Sequence, residues 1–145
     1  VNPGGFAGYE ADLWGMTACN GPARRVSVNG ARLWVRGYAA RGAPDGLDDG
    51  TLAPWAPLAC LPFAPQEALR ATRRILARFP EALDEHHCFV DAIHPGIRSR
   101  TDGVWSAQRS SALDQGLLVT SIENHRSGLV RGLFTRSAWS GVKRL

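Results

Sequence analysis

Residues 111–134 constrain this chain more than any other stretch. They run Ser-Ala-Leu-Asp-Gln-Gly-Leu-Leu-Val-Thr-Ser-Ile-Glu-Asn-His-Arg-Ser-Gly-Leu-Val-Arg-Gly-Leu-Phe. Ser111 followed three residues later by Asp114 is a helix start with its acid in the first turn. Leu117, Leu118 and Ile122 then recur at helical spacing. Gly128 suits the left-handed residue that ends such a helix, and Arg126 lies in the last turn, where a cation is favoured. Leu129, Val130, Leu133 and Phe134 restart an apolar helical face. The stretch therefore predicts two helices joined at one glycine.

Upstream, a second helix signal opens at Pro65, with Glu67 in its first turn and Pro80 as its stop. Its apolar face reads as Leu69, Thr72, Ile75, Leu76 and Phe79. Before it, residues 53–61 form a proline-started apolar segment in which Ala53, Ala56 and Ala59 recur every three residues, a spacing that lets a neighbouring helix come close. Short segments linking amphipathic helices indicate helix–helix hairpins. The period changes over residues 23–36. Val26 and Val28 alternate with polar residues, Asn29-Gly30 follows, and Leu33 and Val35 alternate again, which predicts a small two-stranded ribbon with Trp34 as its anchor. Residues 1–8 read as extended, 9–18 as a short helix, and 37–52 and 95–110 as loops.

Composition closes off several classes. The 145 residues are 44% hydrophobic and 21% charged, a globular balance that suits one undivided unit over 1–145. The net charge is +4, and Arg70, Arg73, Arg74 and Arg78 crowd one stretch. That stretch reads as a solvated helix face; no aromatic interleaving or nucleic-acid motif goes with it, so no nucleic-acid partner is expected. Three scattered cysteines do not make a disulfide framework. Prolines interrupt the longest apolar runs, so no membrane span or signal peptide is expected in this segment. Chemistry-bearing residues cluster at His86, His87, Cys88, Asp91 and His94. Their spacing lacks a second ligand group, and no metal site is expected. Asp45, Asp48 and Asp49 fail the calcium-loop pattern and read as turn-forming acids. The chain starts at Val1, which fits a processed or truncated polypeptide, and the compartment stays open between bacterial cytoplasm and periplasm.

Five ordered motifs carry a resemblance: Trp14-Gly-Met-Thr-Ala-Cys-Asn-Gly-Pro22, Gly42-Ala-Pro44, Gly50-Thr-Leu-Ala-Pro54 with Leu61-Pro-Phe-Ala-Pro65, Phe89-Val-Asp-Ala-Ile-His94, and Leu113-Asp-Gln-Gly116 with Ile122-Glu-Asn-His-Arg-Ser-Gly-Leu129. In this order they resemble the bacterial glycoamylase-like domain family, which includes endo-β-1,2-glucanases and domains of cyclic β-1,2-glucan synthases. Three motifs depart from its pattern. Cys19-Asn20 stands where the family has Ser-Asp, Leu117 where it has proline, and Ile93-His94 where it has Phe-Asn. The resemblance implies a mainly α fold, an (α/α)6 barrel. Twelve helices of ~11–12 residues with their loops need roughly 200 residues or more. Five or six helices fit here, so the chain reads as the C-terminal part of such a barrel carrying a small inserted hairpin. Its partners would be an oligo- or polysaccharide and the rest of the barrel, supplied by upstream polypeptide or a second chain.

The resemblance also implies which residues face the sugar. Glu10 and Asp12 fall in the region that lines the family's sugar-binding face, where Trp14 either stacks on a sugar ring or fills the core. Arg41 or Tyr38 would reach the cleft from the loop, Trp105 would present an aromatic to the substrate, and Gln115 belongs to the Asp-Gln-Gly motif. Asp91 occupies the family's cleft-facing acid position or caps the following loop. Glycoside hydrolysis needs an acid and a second carboxylate as base or nucleophile, and no cofactor. Asp114 and Glu123 are nine residues apart, roughly 13 Å along one helix and on opposite faces, so they cannot serve one bond. Asp114, at a helix start beside loops, is the cleft residue. Glu123 near Arg126 reads as a structural ion pair. Asp114 therefore pairs with Asp91 or with an upstream acid. The expected function is a carboxylate-catalysed hydrolase or transglycosylase acting on β-glucan, β-1,2-linked by resemblance. The rival is a non-catalytic glucan-binding or structural remnant, to which Asn20 and Leu117 point. A polysaccharide lyase on the same fold is a third reading.

Overall fold

A computed structural model describes residues 5–6, 9–28, 31–100 and 102–142. The elements, in chain order, are β1 (Arg24–Val28), β2 (Ala31–Val35), the single turn α1 (Ala56–Ala59), α2 (Pro65–Arg78), a 3-10 turn at Pro80–Ala82, β3 (Ile93–Arg98), β4 (Val104–Ser106), α3 (Ala112–Ser127) and α4 (Leu129–Val142). The fold is helix-rich with two small antiparallel hairpins, β1–β2 and β3–β4. No described helix is long and apolar enough to cross a membrane.

The helix pair that opened the sequence reading forms as expected. Ser111 has extended backbone, and its Oγ accepts the Leu113 N–H at 3.2 Å. Gly128 ends α3 at φ 69°, and its N–H bonds the Asn124 carbonyl. Helix α2 starts at Pro65 and ends before Pro80. Its buried face is Ala68, Ala71, Thr72 and Ile75, continued by Phe79. Leu69 and Leu76, expected inside, are exposed; small alanines face the core instead and allow close approach.

Strands β1 and β2 pair in the register Arg24 to Val35 through Val28 to Ala31. The Asn29-Gly30 turn and most of residues 1–8 lie outside the described residues. Trp34 is not the ribbon's anchor, being 55% exposed; Val35 is buried and Leu33 packs on the core. Two further expectations change. Residues 9–18 are not helical: Glu10 and Leu13 bond each other across a tight turn, Gly15 accepts the Ala53 N–H, and Cys19 pairs with Ala39. Residues 95–110 are not all loop, because β3 and β4 lie there, with an irregular register between His94 and Arg98. The described helices also number fewer than five or six, three of them longer than one turn.

Two apolar clusters hold these pieces together. One gathers Phe6, Tyr9, Leu13, Leu52, Ile75, Phe79, Val90, Ile93 and Val104. The other gathers Cys19, Ala53, Trp55, Ala56, Phe89, Ala92 and Leu118, so the alanine-spaced segment does receive α3. The stretch 89–93 runs between them. Phe89 and Ala92 point into one cluster, Val90 and Ile93 into the other. Its backbone is pinned at Val90 to Ala82, Ile93 to Leu52, and Ala92 to Ala107. Asp91 is therefore held on a rigid segment.

Candidate active site

A cleft of about 250 Å3 opens where four segments meet: the 17–20 loop, Trp55 before α1, Asp91 before β3, and the start of α3. Tyr38 and Arg109 complete its wall. The fold thus brings Asp91 and Asp114 to one cavity. The Asp91 N–H bonds the Arg109 carbonyl at 2.9 Å, and Trp55 Nε1 donates to the Asp91 carbonyl at 3.3 Å. Asp91 Oδ2 accepts from the Asn20 backbone N–H at 2.8 Å and from Asn20 Nδ2 at 2.6 Å.

Asp114 differs from an ordinary first-turn acid. It is 5% exposed, and its Oδ2 has no hydrogen-bond partner among the described residues. A helix start favours the ionised form. Here burial, and then the charge of Asp91, push its carboxyl up to about 6. One carboxyl therefore keeps its proton up to about pH 6, well above the ordinary carboxylate range, beside another that two N–H donors engage. That pairing suits proton donation to a leaving oxygen and assistance from a second carboxylate.

The other predicted site residues lie at varied distances from this pair. Gln115 donates Nε2 to the Phe89 carbonyl at 2.9 Å, tying α3 to the segment that carries Asp91. Trp105, opposite His94 in the β3–β4 hairpin, packs against the cluster beneath the cleft. Tyr38 rather than Arg41 reaches the cleft. Arg41 and Asp49 side chains are fully buried, with Nε to Oδ1 at 2.8 Å and Nη2 to Oδ2 at 3.1 Å. Arg41 also donates to the carbonyls of Cys19, Ala39, Arg36 and Gly37. Burial disfavours its charge, but the bonds to Asp49 outweigh it and hold it protonated.

Glu10 and Asp12 do not join the cleft. Glu10 accepts from Arg78 and Arg74, bonds that hold its carboxyl below the usual range, and Asp12 lies 3.5 Å from Arg70. The arginine-rich face of α2 is thus partly spent on these surface pairs. Trp14 lines a separate apolar hollow of about 480 Å3 with Tyr9, Leu13, Met16 and Pro44. Glu123 pairs with Arg126 at 3.1 Å, as its place in α3 implied. His94 is buried with Nε2 2.9 Å from the Asp49 carbonyl, and burial lowers its basicity. Among the described residues no three His, Cys, Asp or Glu side chains gather as a metal ion requires. Cys19, Cys60 and Cys88 are free thiols, and burial raises Cys19 to about 12.

Sequence reasoning did not place Asn20, Trp55 and Arg109 in the site. Asn20 had a signal, since it sits inside a matched motif. Trp55 read only as part of an apolar segment, and Arg109 as loop.

Residues 1–138 match the Glycoamylase family, described as "Putative glucoamylase", and the chain belongs to that family. It is 28% identical over 133 residues to an exo β-1,2-glucooligosaccharide sophorohydrolase (non-reducing end) from Parabacteroides distasonis, covering 92% of this chain and 16% of that protein. Among solved structures it resembles the endo-β-1,2-glucanase from Chitinophaga pinensis in its sophorotriose and glucose complex, with TM-score 0.70, 29% identity, and 92% of this chain against 27% of the other. The β-1,2-glucanase from Parabacteroides distasonis gives TM-score 0.66 and 27% identity, with 88% and 16% covered. The chain thus spans between a sixth and about a quarter of these relatives.

Proposed function

We propose that this chain contributes part of the catalytic cleft of a glycoside hydrolase acting on β-glucan with β-1,2 linkages. The observation that carries the reading is the sharing of one cleft by Asp91 and Asp114, with Asp114 raised to about 6. Asp114 gives its proton to the leaving glycosidic oxygen. Asp91, or an acid from the remaining polypeptide, then activates water or attacks the sugar carbon. The named relatives supply the β-1,2 linkage. Residues 1–145 form one undivided, C-terminal portion of an (α/α)6 barrel, and the rest of the barrel closes the cleft.

Turnover of β-1,2-glucan by the full-length protein, wild type against Asp114→Asn, tests this. Loss of general acid catalysis lowers kcat by about 10²–10⁴-fold. Unchanged turnover in the variant sinks the assignment. A second reading, a glucan-binding domain without catalysis, is favoured by the uncharged Asn20 on Asp91. It predicts saturable binding of the glucan with no reducing ends released by the wild-type protein.

A further inference from the structure

Asn20 meets Asp91 twice, through its backbone N–H and through Nδ2, and both bonds end on Oδ2. An amide nitrogen only donates, so this oxygen is engaged as an acceptor; a proton on it would displace one of the bonds. The corner that presents Asn20 is fixed from behind. Arg41 Nη1 donates to the Cys19 carbonyl at 2.6 Å, and the Arg41 N–H to the Thr17 carbonyl at 3.3 Å. Cys19 and Ala39 exchange both backbone bonds. On the other side, Gly21 has no room for a side chain. A Cβ there would lie 2.1 Å from the Arg36 carbonyl oxygen and 2.5 Å from Arg41 Nη2. The buried Arg41–Asp49 pair thus acts as a fixture whose working end is Asn20.

Across the cleft stands Asp114, whose buried Oδ2 has no partner among the described residues. The two carboxyls therefore meet unequal surroundings, one with two donors on one oxygen and one with a buried oxygen that no described donor meets. We propose that Asn20 is a positioning residue: its two N–H groups fix the Asp91 carboxyl in the cleft that it shares with Asp114. This rests on the reading of the cleft as a glucan-cleaving pair. Asn20 touches no reacting atom. Its effect passes through Asp91, because its donors offset part of the charge that Asp114 meets when it ionises.

The test follows Asp114 directly and needs no turnover. Full-length protein labelled with 13C at aspartate Cγ is titrated by NMR, with Asp114→Asn identifying the resonance. The wild-type midpoint lies at about 6. Asn20→Ala removes the side-chain donor, and the Asp114 midpoint moves up by about half a unit to one unit. Asn20→Asp keeps the size and shape but sets a third carboxyl beside the pair, and the midpoint moves up further. It decides alone where the alanine variant does not fold. A midpoint that stays at the wild-type value or falls in the folded variants overturns the proposal. With β-1,2-glucan, Asn20→Ala lowers kcat about tenfold or more while KM stays within about twofold. A wild-type protein that turns over no glucan defeats the proposed function, and the Asp114 titration still decides the role of Asn20.

Discussion

At the scale of single residues, two buried acids make stability depend on pH in opposite directions. Asp114 holds its proton up to about 6 in the fold against an ordinary 3.8, so the native state binds more protons than the unfolded chain between those values. Stability then falls as pH rises through that window. At ~1.4 kcal/mol per unit, discounted for solvent at the cleft mouth, the loss is on the order of 2 kcal/mol. Asp114→Asn should therefore stabilise the protein at pH 7.5 by about that amount and lose its advantage by pH 4, read from urea midpoints at the two pH values. Asp49 runs the other way. Burial raises its carboxyl, but the bonds from Arg41 and Thr51 outweigh it and the net shift is down. Its contribution is present above its unfolded value of 3.8 and is lost as pH falls further. Arg41→Met leaves Asp49 charged, buried and unpaired, which costs about 3–5 kcal/mol. Adding Asp49→Leu should recover much of that loss in the same denaturation experiment, and a double variant no more stable than the single one would refute the pairing argument. The carboxylates of the cleft were legible in the sequence, since a first-turn acid and a motif acid both announce themselves. Arg41 was not. The sequence reads it as a loop arginine reaching the sugar cleft, and only folding brings four carbonyls from residues 19, 36, 37 and 39 around it.

At the scale of elements, legibility followed the range of the interactions. Helices α2, α3 and α4 are specified locally, by Pro65, by the Ser111 cap and by Gly128, and they form where the sequence put them. The segment 9–18 has helical composition, yet its distant backbone partners lie at Arg41 and Ala53. Propensity yields where distant partners satisfy the backbone groups better. Strand β3 hides for a related reason. His94-Pro95-Gly96 carries turn formers in the middle of the strand, and the irregular register there absorbs them. The glycine between α3 and α4 gives the sharpest check on the local part. Nothing lies within 4 Å of a Cβ built on Gly128, so Gly128→Ala meets only the left-handed backbone at φ 69°. The variant should lose about 1–2 kcal/mol in chemical denaturation, and Gly128→Asn clearly less. An alanine variant as stable as wild type would mean that the turn relaxes to another conformation.

At the scale of the whole molecule, the apolar surface is unevenly used. The buried clusters enclose α2 and the inner side of α3, whereas Leu113, Val119, Leu129, Leu133 and Phe134 on α3 and α4 are exposed, Phe134 at 79%. Of the residues that set the apolar rhythm of α3, Leu118 is buried, while Leu117 and Ile122 remain exposed. Burying such side chains is worth about 1.5–3 kcal/mol each, so several of them on one helix pair provide a strong drive to associate. The chain spans between a sixth and about a quarter of its relatives, and in the barrel reading these faces meet the remaining helices. That reading makes a definite forecast for native mass spectrometry of the purified protein. The particle should exceed the 15.7 kDa of residues 1–145, through further polypeptide or a second chain. Leu133→Ser with Phe134→Ser should then shift it toward free chains and lower its melting temperature. A folded, monomeric 15.7 kDa particle that is indifferent to these substitutions would remove the barrel from the account. The cleft acids would then belong to a small self-contained domain, and glucan binding without cleavage would become the function to test.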